Sequence, residues 1–156
     1  MKRMGWPPLS GAIAGLGATA VMSAAMLAAR SAGLTRTLPP ARIAEVAIEE
    51  ATHRPAQEDE RRVVASAAHL GFGAAGGAAF GIIRQAAGIR GPVASVVTAL
   101  AFANVVYVVS YQGWVPALRI MPPASRDEAG RVGTMVVAHW IYGAVLGALA
   151  WLLARR

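Results

Sequence analysis

The stretch VVASAAHLGFGAAGGAAFGII, residues 63–83, holds no charged side chain over 21 positions and sets His69 ahead of a run of glycines. At about 1.5 Å per residue a helix of this length spans the roughly 30 Å hydrocarbon core of a bilayer. Buried helices of soluble domains rarely run so long without a charge. Three further stretches share the property: Met4 to Ala29, Gly91 to Leu118, and Val132 to Ala154. Apolar residues make up 56% of the chain and charged ones only 15%, so this is not the composition of a soluble domain. The reading is an all-α membrane protein: one integral domain over residues 1–156 with four transmembrane helices. The spans are expected near 9–32, 62–83, 92–114 and 132–153. Lys2 and Arg3 before the first stretch invite comparison with a signal peptide, but its apolar run far exceeds the about 7–15 residues of a signal core. It is read as a span.

Two of the spans carry one motif. His69, Phe72, Gly73 and Gly77 recur 70 positions later as His139, Tyr142, Gly143 and Gly147, and the same shift aligns Glu58 with Glu128 and Arg61 with Arg131. Upstream, Arg36 to Ala41 (RTLPPA) matches Arg119 to Ala124 (RIMPPA). The spacing from these strings to the histidines leaves 13 extra residues in the first unit, roughly Ile43 to Pro55. The chain therefore reads as two similar helical hairpins entering the membrane the same way, related by a pseudo-twofold along the membrane normal. The extra piece, residues 41–54, mixes Ile43, Val46 and Ile48 with Glu45, Glu49 and Glu50 and is predicted to be a short interfacial helix. Its Glu50 and His53 have the spacing used in di-iron bundles. Those need a second such pair, which this sequence lacks, so a solvated helix face is the better reading.

The net charge of +7 sits at the ends of apolar segments, where basic residues meet headgroups, rather than in a stripe that would follow nucleic acid. The partners this implies are the bilayer with its anionic lipids, a second copy, or another membrane protein. One side of the membrane carries Lys2, Arg3, Arg84, Arg90, Arg155 and Arg156 without acids; the other carries nine arginines and eight acids in longer loops. Density of basic residues in short segments places both termini in the cytoplasm. The absence of cysteine removes disulfides, thiolate metal sites and cysteine nucleophiles.

Polar side chains inside spans are costly and are the default functional candidates. His69 and His139 both lie roughly 10–12 Å inside the same face by helical rise. Ser23, Asn104 and Tyr107 reach comparable depth on the other spans, so Ser23, His69, Asn104, Tyr107 and His139 form the candidate polar cluster. The leading reading is structural: histidines bonded to neighbouring helices, with glycines at Gly11/Gly15, Gly73/Gly77 and Gly143/Gly147 permitting close approach. A haem held axially by His69 and His139 and a small transporter or proton-handling protein are the alternatives. No span carries an acid, no serine has an activating partner, and no carboxylate pair lies in a span. The expectation is a non-enzymatic accessory, scaffold or small-ligand-binding bundle with no catalytic residue, no metal and no cofactor.

Further strings fill in the pattern: Ala14-Gly15, Val21-Met22-Ser23, Leu38-Pro39-Pro40, Ser110-Tyr111-x-Gly113-Trp114-x-Pro116, Arg126-Asp127 and Gly130-Arg131. With the two histidine motifs they resemble a family of small four-span bacterial membrane proteins of unknown function, with a distant likeness to YagU-type inner-membrane proteins. The resemblance covers nearly the whole chain and implies a multi-pass protein of the bacterial cytoplasmic membrane. It implies no activity and carries over no catalytic role. On their own chemistry, Tyr111 and Trp114 are expected to anchor the third span at the interface, with Gly113 and Pro116 breaking the helix as it leaves.

Overall fold

A computed structural model of the chain describes residues 6–155. Every regular element in this range is helical. The order is α1 (Pro7–Ser31), α2 (Pro39–Thr52), α3 (Glu58–Ala86), α4 (Pro92–Tyr107), a π-helical segment (Val108–Trp114), α5 (Val115–Ala117), a 3₁₀ turn (Ala124–Arg126) and α6 (Ala129–Leu153). Four helical rods are long and apolar enough to cross a membrane: α1, α3, α6, and α4 continued through the π segment into α5. Lys2, Arg3 and Arg156, on which part of the orientation argument rests, lie outside the described residues.

The outward faces explain why a bilayer suits this molecule. Ile13, Val21 and Leu27 on α1, Leu70 and Ile82 on α3, Val97 and Val105 on α4, and Val137 and Leu152 on α6 are all exposed. In water they would form apolar patches far larger than soluble monomers tolerate. The core, by contrast, is built from small residues: Ala14, Ala18, Ala99, Ala103, Ala138 and Ala150, with Phe80 and Leu146 the large side chains that are fully buried. Lipid offers no hydrophobic drive for helix association, so close backbone packing has to supply it.

That packing is done by glycine. Along the α1–α3 seam, a Cβ placed on Gly77 would lie 2.2 Å from the Gly11 carbonyl oxygen, and one on Gly15 would lie 2.2 Å from that of Gly73. Along α4–α6, a Cβ on Gly147 would meet the Val96 Cα at 2.5 Å. There Ser95 donates a buried hydrogen bond to the Gly147 carbonyl at 2.9 Å. Helix α1 also packs along α6, whereas α3 and α4 barely touch. Where they approach, Phe80 packs against Phe102, ring centroids 5.7 Å apart. The bundle therefore has a side that does not close.

Several boundaries differ from expectation. Helix α3 starts at Glu58, because Glu58, Asp59 and Glu60 in its first turn favour the positive end of the helix dipole. Helix α2 starts at Pro39, with Pro39 and Pro40 occupying the first two helical positions where no N–H is missed. The largest correction concerns the third span. It does not break at Gly113-Trp114 but runs on to Ala117 through the widened turn, where the Val115 N–H bonds to the carbonyl of Ser110, five residues back. Pro116 supplies a reason. It lacks the N–H that would bond the Gln112 carbonyl, and its ring would crowd that carbonyl in a regular α-helix.

Candidate functional site

The open side of the bundle holds a cavity of about 190 Å³. Ala65, Ala68, His69 and Phe72 of α3 form one wall, and Ser110, Tyr111, Trp114 and Val115 form the opposite one. Met22 and Met26 of α1 with Met135 and His139 of α6 make the floor, and Pro39, Pro40 and Ile43 of α2 cover the end toward the long loops. No Lys, Arg, Asp or Glu lines it. A second, smaller cavity of about 40 Å³ lies deeper, between Thr19, Met22, Phe72, Gly73 and Tyr142, and both histidines line it as well.

Each histidine is held by its Nδ1. The carbonyl of Met135, one turn back on α6, sits 2.7 Å from His139 Nδ1. A carbonyl only accepts, so His139 carries its proton on Nδ1 and, in the neutral ring, leaves Nε2 as an acceptor. His69 Nδ1 lies 3.2 Å from the Ser23 hydroxyl of α1. When that hydroxyl donates, the neutral His69 ring carries its proton on Nε2, as a donor. Tyr107 packs edge-on against His139 at 5.3 Å between ring centroids and stacks on Tyr111 at 5.6 Å. The Tyr142 hydroxyl crosses from α6 to α3 and donates to the Gly73 carbonyl at 3.0 Å, so the two histidine motifs meet directly.

Four of the five candidate residues are thus gathered as two pairs, Ser23 with His69 and Tyr107 with His139, and the two histidines share both cavities. Asn104 is not among them. It is exposed, donates to the Leu100 carbonyl at 2.8 Å, and accepts from the Trp140 indole at 3.2 Å on the outer surface of α4 and α6. Depth placed it correctly; rotation about the helix axis turned it away. Glu50 and His53 form no joint site: Glu50 is exposed, and His53 ends α2 in a left-handed conformation with φ 54°.

Tyr111 corrects a second expectation. Rather than anchoring at the headgroups it is 3% exposed and donates to Asp127. Asp127 in turn pairs with Arg131 one turn along α6, and Arg131 also reaches Glu128 at 3.2 Å and the Thr37 carbonyl at 3.2 Å. This buried network ties the π segment, the start of α6 and the loop before α2 into one rigid end for the cavity. The sequence signal for it was the i, i+4 spacing of Asp127 and Arg131 at the foot of an apolar span.

Ser110 was also missed as a candidate. Elsewhere Ser10, Thr19, Ser31, Thr52 and Thr134 fold their hydroxyls onto a carbonyl of the preceding turn. The Ser110 hydroxyl, in the widened turn, is buried and has no partner. An unpaired buried hydroxyl costs roughly 1–3 kcal/mol. Among the described residues no group of three or more His, Asp or Glu side chains is placed to hold a metal ion.

Residues 7–156 match a family of unknown function, DUF6789, and the chain belongs to that family. Comparison with curated proteins and with solved structures returned no match, so the likeness to YagU-type proteins finds no support there.

Proposed function

We propose that this protein is a non-enzymatic bundle that binds a small lipid-soluble molecule from within the membrane. One observation carries the reading: the gap between α3 and α4 contains an apolar cavity of about 190 Å³ with both intramembrane histidines on its wall. Pockets with mostly apolar walls and a few convergent polar groups are the usual form of small-molecule sites. Three methionines on the floor give the walls an adaptable surface. The site also fits the bilayer as its source, because the side of the bundle that fails to close is a lateral one.

The same geometry favours this reading over a haem. The two cavities that both histidines line, about 190 Å³ and about 40 Å³, are each smaller than the room a porphyrin needs between two axial ligands. For coupled transport, an acid within a span would be the expected investment, and the acids lie in α2, in the first turn of α3 and just before α6.

We further read the two hairpins as versions of one unit, because in each the histidine-bearing helix packs its glycines on the long helix that precedes it. On that reading the α1–α6 seam has α4–α3 as its counterpart. The counterpart is the side that stays open, next to the extra α2 of the first unit. The site is then a product of the departure from symmetry. We propose the bacterial cytoplasmic membrane as its location, with both termini in the cytoplasm and anionic lipid at its basic ends, a reading supported by the dense basic residues in the short segments.

The test is to isolate the full chain in polymer-bounded native nanodiscs, extract it, and identify lipid-soluble compounds enriched over the surrounding membrane. Ala68→Phe fills the cavity from α3 and should abolish the enrichment while leaving helix content unchanged. Equal amounts of every extracted compound in wild type and A68F would overturn the proposal. A Soret band in the absorption spectrum of the wild type would replace it with the haem reading.

A further inference from the structure

We infer that a groove between α1 and α3, at the end of the bundle that carries the long loops, seats one anionic phospholipid with its phosphate between Arg30 and Arg62. The groove has a volume of about 340 Å³. It shares Met26, Pro40, Ala65 and His69 with the cavity described above but opens on another side, past the exposed Leu27 and Leu70. The inference therefore goes beyond the ligand-binding reading and stands without it. Arg30 and Arg62 both line the groove, and no Asp or Glu does.

Helix register brings the two arginines to one place. Gly11 meets Gly77 and Gly15 meets Gly73, and the same antiparallel register sets Arg62 level with Met26. Arg30 lies one turn of α1 further out, about 6 Å along the axis. Side chains on a helix lean toward its N-terminus. Arg30 thus leans into the membrane and Arg62 leans out of it, so they converge on the mouth of the groove. Among the described residues Arg30 has no acidic partner, and Arg62 has the exposed Glu58. Two cations against one acid leave a single positive charge, which a phospholipid of one net negative charge cancels. Depth selects a lipid over a free anion. The groove runs from Arg30 to Ala20, about 15 Å along α1 and half of the roughly 30 Å hydrocarbon core, which is the reach of one acyl chain in one leaflet. Below the arginines its walls are mainly apolar, with Ala20, Leu27, Ala65 and Leu70 among them. Basic pockets between transmembrane helices are a recurrent form of anionic headgroup site.

The test is native mass spectrometry of the full chain released from detergent micelles, titrated with phosphatidylglycerol or with phosphatidylcholine of the same acyl chains. An arginine near the membrane surface contributes about 5-fold in affinity for an anionic lipid. The first phosphatidylglycerol should therefore bind about 5–25-fold tighter than the first phosphatidylcholine, Glu58 taking part of the Arg62 contribution. Arg30→Gln should lose about 5-fold of that preference and Arg62→Gln a part of it. Glu58→Gln releases Arg62 and should raise it. Arg126→Gln removes one exposed charge at the same end of the bundle, away from the groove, and should leave the preference unchanged. Phosphatidylcholine binding that is equal in all variants shows that each is folded. Equal affinity of the wild type for the two lipids, or an equal loss in R126Q and R30Q, would overturn the inference. Displacement of phosphatidylglycerol by excess inorganic phosphate would overturn it too, since the site would then serve a free anion. None of these results bears on the cavity, because Ala68, whose substitution tests it, does not line the groove.

Discussion

Gly77→Ala and Gly71→Ala place the same methyl group on the same helix and should move stability in opposite directions. At Gly77 the new Cβ would stand 2.2 Å from the Gly11 carbonyl oxygen and 2.7 Å from the Gly15 Cα, both backbone atoms that cannot rotate aside. Ordinary contact begins near 3.4 Å, so α1 and α3 must part by about 1.2 Å at that level. A gap of about 1 Å forfeits a quarter to a half of the dispersion energy of the atoms lining it. The loss extends along the seam, because the Gly15–Gly73 approach opens with it. Overpacking of this kind costs typically about 1–3 kcal/mol, which exceeds the about 0.5–1 kcal/mol that alanine gains over glycine inside a helix. At Gly71 nothing lies within 4 Å of the added Cβ, so only the helix gain applies. Unfolding by SDS titration in mixed micelles measures both. The expected result is a loss of about 1–2 kcal/mol for G77A and a small gain for G71A. A G77A protein as stable as wild type would mean that α1 and α3 do not meet at these glycines, and the fold described above would be wrong at its tightest seam.

Three other measurements probe separate parts of the molecule. Asp127→Ala removes the acceptor of Tyr111 and the partner of the nearly buried Arg131; breaking a buried pair typically costs about 3–5 kcal/mol, and Glu128 and the Thr37 carbonyl should hold the loss to about 3, read in the same titration. Ser23→Ala deletes one interhelical bond to His69 and should cost about 0.5–2 kcal/mol; no change would place the His69 ring elsewhere than against α1. A reporter fused after Arg156 should behave as cytoplasmic, and a periplasmic signal would invert the proposed topology.

Hydropathy is a local property, and what depends on it is legible in the sequence. Four long apolar helices, a helix in the first long loop and close glycine contacts at Gly73/Gly77 and Gly143/Gly147 were all legible, although the third rod runs on past its expected end to Ala117. What depends on rotation about a helix axis was not. Asn104 and Tyr107 lie three residues apart at similar depth, yet Tyr107 reaches His139 and Asn104 faces outward to Trp140. An apolar span gives little clue to its inward face, because polarity is low all round it and lipid accepts the same side chains as the core.

The third span shows how one local irregularity defeats that kind of reading. Ser95, Ala99, Ala103, Tyr111 and Val115 are buried, with Tyr107 half-buried, so the inward line takes every fourth residue. At 3.6 residues per turn such a line drifts by about 40° at each step and would leave the interface within a few turns. The bonding of Val115 back to Ser110 widens the turn beyond four residues and reverses the drift, so Tyr111 and Val115 stay inward. In the same widened turn Ser110 lacks the backward bond its counterparts make, and its hydroxyl is buried without a partner beside the cavity. A periodicity argument that assumes one helix geometry to the end sees Tyr111 and Trp114 as interfacial aromatics and overlooks Ser110. Pro116 marks the place where that assumption fails, because its missing N–H and its ring forbid the regular continuation. The wall that Ser110, Tyr111, Trp114 and Val115 give the candidate site therefore depends on a proline that does not itself line the cavity.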